Sequence, residues 1–341
     1  MRSLIAVTLA LTLAGTSGCK RIVKEILKRQ ATAHGASAAP GSSASAAESA
    51  DDATGDKLNA YIHCINNVSS RIHDSERRYF SWVDEKKGPT GKERNIYGLY
   101  KISDPSTCVS EVTKANAQKP SLPKLEEAGT EFIGVAKRAF PLLKEANDYY
   151  SEKNYKDDKM AKGKQLHPKL VALFDDFDKA DKDMRSEVRT LNRQLKERTM
   201  ARLLKTQGRT IPYLREHVMV LAQDVLNLGD QKTLDAIDLP KFTAKIDEYG
   251  EAVSELSTYV DGHKSEAGKY MMLSSLIGES KDYLTAAKEL MRRVRDKKAF
   301  TSLEKRRLGG PAAWMVNGSP GKLLHSYNSL VSRSNSVHRM R

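Results

Sequence analysis

The chain has 341 residues, 57 Lys and Arg against 43 Asp and Glu, a net charge of +14 and 29% charged residues. No stretch approaches the roughly 20 apolar residues needed to cross a bilayer as a helix, which excludes a helical spanning protein. The charge is uneven: residues 20–29 hold +4, residues 292–341 hold +10, and the body between them is close to neutral. Such a distribution suits either a nucleic-acid binder or a protein facing anionic lipid.

The N-terminus favours the second. Met1-Arg2 is a short positive start, and Leu4 to Ala14 is an eleven-residue run of apolar residues and Thr. Thr16-Ser17-Gly18-Cys19 then places a cysteine after small residues. This order reads as a secretory signal over 1–18 with a lipoprotein-type cleavage site, and Cys19 as the lipid acceptor. Such sites usually carry Leu three residues before the cysteine, and Thr16 stands there instead. The alternatives are ordinary cleavage with Cys19 incidental, or an uncleaved N-terminal anchor. The anchor would be reinforced by residues 19–29, a basic amphipathic segment suited to anionic headgroups. Residues 30–56, dominated by Ala, Ser, Gly, Thr and Asp with no large apolar residue, read as a flexible tether reaching about 30 Å.

From Leu58 onward, apolar residues step by three and four. The first stripe is Leu58, Tyr61, Ile62, Ile65, Val68, Ile72, Tyr79 and Trp82, broken at Gly88-Pro89-Thr90-Gly91. The second runs from Leu122 to Tyr149 through Pro141, and the third from Leu170 to Leu195 within a helix over 165–206. Gly208 breaks the chain, and Thr210 with Pro212 opens the next helix. Further stripes follow from Leu214, from Phe242 after Pro240, from Leu273, and from Leu323 to Val331 after a Gly/Pro-rich loop at 309–321. No segment alternates with period two. The expectation is an all-α protein, an elongated antiparallel helical bundle over 57–335, with 336–341 as the end of a basic tail.

Cys64 and Cys108 remain once Cys19 is assigned to lipid. In an oxidising compartment a disulfide is their simplest use, stapling the first helix to the loop after Tyr100. A metal pair and two buried thiols are the alternatives.

Three groups of residues carry a resemblance. They are Leu58-Asn59-Ala60-Tyr61-Ile62 with Trp82-Val83-Asp84 and Lys86-Lys87-Gly88-Pro89-Thr90-Gly91-Lys92-Glu93; Tyr97-Gly98-Leu99-Tyr100; and Tyr149-Tyr150, Asn154 to Gly163 and His167-Pro168. In combination the chain resembles the YiiG-like bacterial lipoproteins, a helical envelope family. The resemblance implies a lipid-anchored helical domain in the periplasm of a Gram-negative cell envelope. It carries over no active-site residue.

Two basic regions are candidate anion sites. Arg185, Arg189, Arg193 and Arg202 belong to a ridge over 185–209 holding eight positive and two negative charges. Arg292, Arg293, Lys305, Arg306 and Arg307 belong to the C-terminal tail. Either could take lipid headgroups, lipopolysaccharide or another envelope polyanion. Aromatics are too sparse among them for a single-strand stacking platform, so no nucleic acid is expected. Asp175, Asp176, Asp178, Asp181 and Asp183 read as a solvated helix face. Asp157 and Asp158 read as a capped turn, the sharper alternative being a cation site with Asp84 or His167. No HExxH or HxxxH pair, GxSxG elbow or phosphate loop is present. The expectation is therefore a non-catalytic binding or structural protein with no metal and no cofactor, whose partners are the membrane and an anionic ligand or protein of the envelope. An envelope hydrolase is the remaining reading.

Overall fold

The computed structural model describes residues 42–231, 233–308 and 312–340. The signal, Cys19 and the basic segment to residue 29 lie outside the described residues. The described part is all-α apart from one two-stranded ribbon. The helices are α1 Ser42–Phe80, α2 Ser106–Asn116, α3 Pro123–Ser151, α4 Ala161–Gln207, α5 Ile211–Gly229, α6 Leu239–Gly262, α7 Lys264–Ala267, α8 Leu273–Arg295, α9 Ser302–Leu308 and α10 Pro320–Ser336. The ribbon pairs β1 Tyr270–Met271 with β2 His338–Arg339. The chain forms two compact units, one ending at Leu195 and the other starting at Lys196, both within α4.

In the first unit, α1 buries the predicted stripe, from Leu58 through Tyr61, Ile65 and Ile72 to Tyr79. It starts at Ser42, so the tether assigned to 30–56 is too long. Ala and Glu are good helix formers, and extending an existing helix avoids the cost of nucleation. Lys57 locks this end. Its side chain is fully buried, and Nζ donates to the carbonyls of Gln118 and Pro120, both at 2.9 Å, and to the Glu126 carboxylate.

Cys64 and Cys108 are both buried and form a disulfide with Cα atoms 4.7 Å apart. Cys108 lies on α2, so the bond joins two helices and not a helix to a loop. The closed loop spans 44 residues of sequence. Cys64→Ser should lower unfolding stability by up to about 4 kcal/mol, after which a reductant should have no further effect on the denaturation midpoint. An unchanged midpoint in the variant would refute a stabilising role for the bond.

α3 continues through Pro141 and buries Leu125, Phe132, Val135, Ala139, Leu143 and Tyr149. α4 faces the same core with Leu166, Leu170, Phe174, Phe177, Ala180, Met184 and Val188.

In the second unit, the end of α4 supplies Met200 and Leu203 to a core built from α5, α6, α8 and α10. Gly208 takes a φ of +71°, which ends α4 as expected for an L-residue-averse conformation. Thr210 occupies the N-cap position of α5, although its hydroxyl makes no cap bond. Asp238 and Ser319 do cap α6 and α10, accepting from Lys241 N and Lys322 N, and a proline follows in the first turn of each helix. Two fully buried tyrosines of this core keep their hydroxyls bonded. Tyr249 donates to Ser280 O at 3.1 Å, and Tyr283 to Ala222 O at 2.9 Å. The segment 336–341 is not simply a tail. Val337 is buried, Met271 pairs with His338, and Tyr270 pairs with Arg339. Two residues are too few to show an alternating pattern, so the ribbon has no signature in the sequence.

Candidate functional site

α1 and α4 build a buried polar node in the first unit. Ser69, His73 and Glu76 are spaced four and three apart on α1, which places them on one face. Asp178, Asp181 and Arg185 are spaced three and four apart on α4. Asp181 is 5% exposed and collects three donors. Ser69 Oγ donates to it at 2.6 Å, Arg185 Nε at 2.8 Å and His73 Nε2 at 3.0 Å. The other ring nitrogen of His73, Nδ1, lies 3.3 Å from Asp178 Oδ1 and 3.6 Å from Glu76 Oε2. Phe177 meets the imidazole edge-on at 5.2 Å and closes the node toward the core.

The electrostatics follow from that geometry. Burial by itself would lower the His73 pKa, but hydrogen bonds to Asp178, Asp181 and Glu76 outweigh it and raise the value to about 11. Burial would raise the Asp181 pKa. The bond from His73, the charge and bond of Arg185 and the bond from Ser69 overcome it and lower the value to about 2.

This node corrects two expectations. Asp181 is not on a solvated face, and Arg185 is not available to an external anion. Positions 177, 181, 184 and 188 step by four, three and four, so Asp181 lies within the apolar stripe of α4 and Arg185 lies one turn further on. That spacing was visible in the sequence. The partner face on α1 was not.

The segments that carry the family resemblance converge elsewhere in the same unit. Tyr79 Oη lies 3.0 Å from His167 Nδ1, and His167 Nε2 lies 3.1 Å from Glu85 O. Trp82 and Tyr150 meet edge-to-face at 5.1 Å. Gly88 has a φ of +73°, and a Cβ there would sit 2.9 Å from the His167 ring, so glycine is required twice over. Glu93 ties its loop by accepting from Thr90 Oγ1 at 2.8 Å and Gly91 N at 2.8 Å. Asp158 accepts from Tyr149 Oη at 2.8 Å and from Lys162 N at 2.9 Å, where α4 begins. Asp84 accepts from Lys86 N and Lys87 N in its own turn. Asp158, Asp84 and His167 thus serve the fold. Among the described residues, the His and acidic groups whose ligand atoms converge are His73, Glu76 and Asp178.

In the second unit, the candidate cations of the C-terminal region divide. Arg293 is 8% exposed. It donates to Glu304 Oε1 at 2.8 Å and Asn317 O at 3.0 Å, and its guanidinium lies over Phe300 at 4.4 Å. It is a strut and not an anion-binding residue, because α9 and the turn at 317 fold back over it. Arg292, Lys305, Arg306 and Arg307 are exposed. Beside them, Leu303 on α9 is 49% exposed, and Trp314 and Met315 in a 3-10 turn are 44% and 51% exposed. α9 packs against that turn, and Trp314 stacks on His325 at 4.9 Å. The ridge residues Arg189 and Arg193 are exposed in the first unit, and Arg202 is half-buried in the second. No helix of the described residues is long and apolar enough to cross a membrane.

The comparisons with known proteins agree with the sequence resemblance. Residues 52–336 match the family described as "Protein of unknown function (DUF3829)". The "Uncharacterized protein YiiG" of Escherichia coli (strain K12) is 33% identical over 288 residues, covering 83% of this chain and 78% of that protein. No solved structure matches. The match begins inside α1 upstream of Leu58 and ends at the last residue of α10, so it takes in the helices of both units, and the chain belongs to the YiiG-like DUF3829 family.

Proposed function

We propose that this chain is a lipid-anchored helical protein of a Gram-negative cell envelope, held at the membrane through Cys19 and facing the periplasm. Its role is binding or structural, without a catalytic step. The signal and Cys19 in the sequence support the anchor, and a relative from Escherichia coli supports the cell type. The ligand is an anionic lipid surface, met through the C-terminal region of the second unit.

One observation carries that assignment. Leu303, Trp314 and Met315 are each exposed by 44% or more directly beside Lys305, Arg306 and Arg307. Exposed aromatic and aliphatic side chains next to a cationic cluster suit the boundary between headgroups and acyl chains. Each basic residue near an anionic bilayer adds about 1 kcal/mol.

The test is co-sedimentation of the mature chain carrying Cys19→Ala with vesicles of zwitterionic lipid, with and without an anionic lipid. Binding should need the anionic lipid and fall with salt. Replacing Lys305, Arg306 and Arg307 together with Gln should weaken it about 100-fold, the value of three charges. The basic segment at 20–29 is intact in both forms, so the difference reports the C-terminal cluster alone. Equal binding by the two forms would overturn this surface.

A further inference from the structure

We propose that His73, Glu76 and Asp178 form a binding site for a divalent transition-metal ion of the zinc class, with Asp181 as the residue that orients the histidine. The proposal does not depend on the membrane surface described above, which lies in the other unit.

His73 Nδ1, a Glu76 oxygen and an Asp178 oxygen all lie within 4.8 Å of one another. The separations of Nδ1 from the two carboxylates, 3.3 and 3.6 Å, exceed the 3.0 Å of the Nε2–Asp181 bond on the same ring. Ligands about 2.0–2.1 Å from a tetrahedral ion stand roughly 3.4 Å apart. The two separations from Nδ1 are close to that spacing, and the third is within 4.8 Å, so rotating the carboxylates brings all three onto a shared ion.

The groups behind the histidine fit a metal ligand as well. A metal-bound histidine nearly always donates its other N–H to a carboxylate or carbonyl, which sets its tautomer and orientation. His73 Nε2 does this to Asp181, and Asp181 is itself fixed by Ser69 Oγ and Arg185 Nε. The ring is thereby turned so that Nδ1 faces Glu76 and Asp178. A ring merely filling a gap in the core needs no such third layer.

The charge of the node also favours a cation. Asp181 and Arg185 neutralise each other. Glu76 and Asp178 then carry two negative charges facing Nδ1, which a divalent cation taking the place of the Nδ1 proton balances and which that proton alone only half balances. One imidazole with two carboxylates matches ions of intermediate softness. The His73 and Glu76 side chains are each 11% exposed and Asp178 is 33% exposed, so the site opens to solvent on the Asp178 side. Water can complete the coordination there.

The test uses the whole mature chain, stripped with a chelator and titrated with zinc ion by calorimetry, with the melting temperature followed in parallel. The expected result is one saturable zinc event per chain and a melting temperature that rises with zinc. Asp178→Asn, at the most exposed ligand, should abolish both, and it should lower the metal-free melting temperature by less than Asp181→Asn does. Glu76→Gln should do the same to the zinc event. Asp181→Asn should weaken zinc about 10- to 100-fold, the usual cost of losing an outer-shell partner. Glu131→Gln, an acid of α3 outside the node, should leave binding unchanged. Absence of saturable zinc uptake by the parent chain, or uptake that both Asp178→Asn and Glu76→Gln retain in full, would overturn the site.

Discussion

Asp181→Ala, measured by urea denaturation of the metal-free protein, should cost about 3–5 kcal/mol of unfolding free energy. The carboxylate is 5% exposed and serves three donors at 2.6, 2.8 and 3.0 Å. Removing it leaves the Arg185 guanidinium, 6% exposed, without this counter-charge, and frees the Ser69 hydroxyl inside the core. His73 suffers less, because Asp178 and Glu76 still face its Nδ1. The two residues should also behave non-additively. Arg185→Met in the Asp181→Ala background should recover part of the loss, because a buried apolar pair is cheaper than a buried charge that has lost a carboxylate partner. A loss below about 1 kcal/mol for Asp181→Ala would mean that water enters the node freely, as at a surface pair.

Lys57→Ala should cost about 3 kcal/mol and fray the start of α1. The ammonium group is fully buried and donates to two carbonyls and a carboxylate that close the connection from α2 to α3. Glu126 is 21% exposed at its side chain and also accepts from Leu122 N at 2.7 Å, so it retains solvation and one partner when the lysine is lost. Gln118 O and Pro120 O lose this donor outright. Lys57→Met keeps the apolar stem and isolates the polar contribution; it should recover less than half of the loss. Hydrogen exchange of the amides between 48 and 60 should speed up in either variant. Unchanged protection there would show that the start of α1 stands without this contact.

The helices were legible because their signal is local. The steps of three and four from Leu58, Leu170 and Phe242 reappear as buried faces, and Gly208 ends a helix where the sequence placed a break. The pairing of Cys64 with Cys108 followed from there being no other partner for either once Cys19 is assigned to lipid. The resemblance to YiiG-like proteins stood on segments that prove to pack on one another around Tyr79, Tyr150 and His167. Their distinctiveness reflects tight packing: Gly88 and Gly163 leave no room for a side chain.

What failed has one physical cause. A polar residue reads as exposed unless something across the core receives it, and that partner lies far away in the chain. Asp181 meets Ser69 and His73 at separations of 112 and 108 residues, and Lys57 meets Pro120 at 63. The ridge reading failed at Arg185 for that reason, and the solvated-face reading failed at Asp181. Arg293 was withdrawn from the surface by Glu304 and Asn317, which the chain brings back over it.

The sequence by itself determined the helical class, the breaks between helices and the family, because periodicity, turn chemistry and short distinctive segments are properties of neighbouring residues. Only the tertiary structure decided which charges are buried and which donors meet. Those outcomes depend on helix faces that the sequence separates by many turns, and on whether pairing offsets the loss of water.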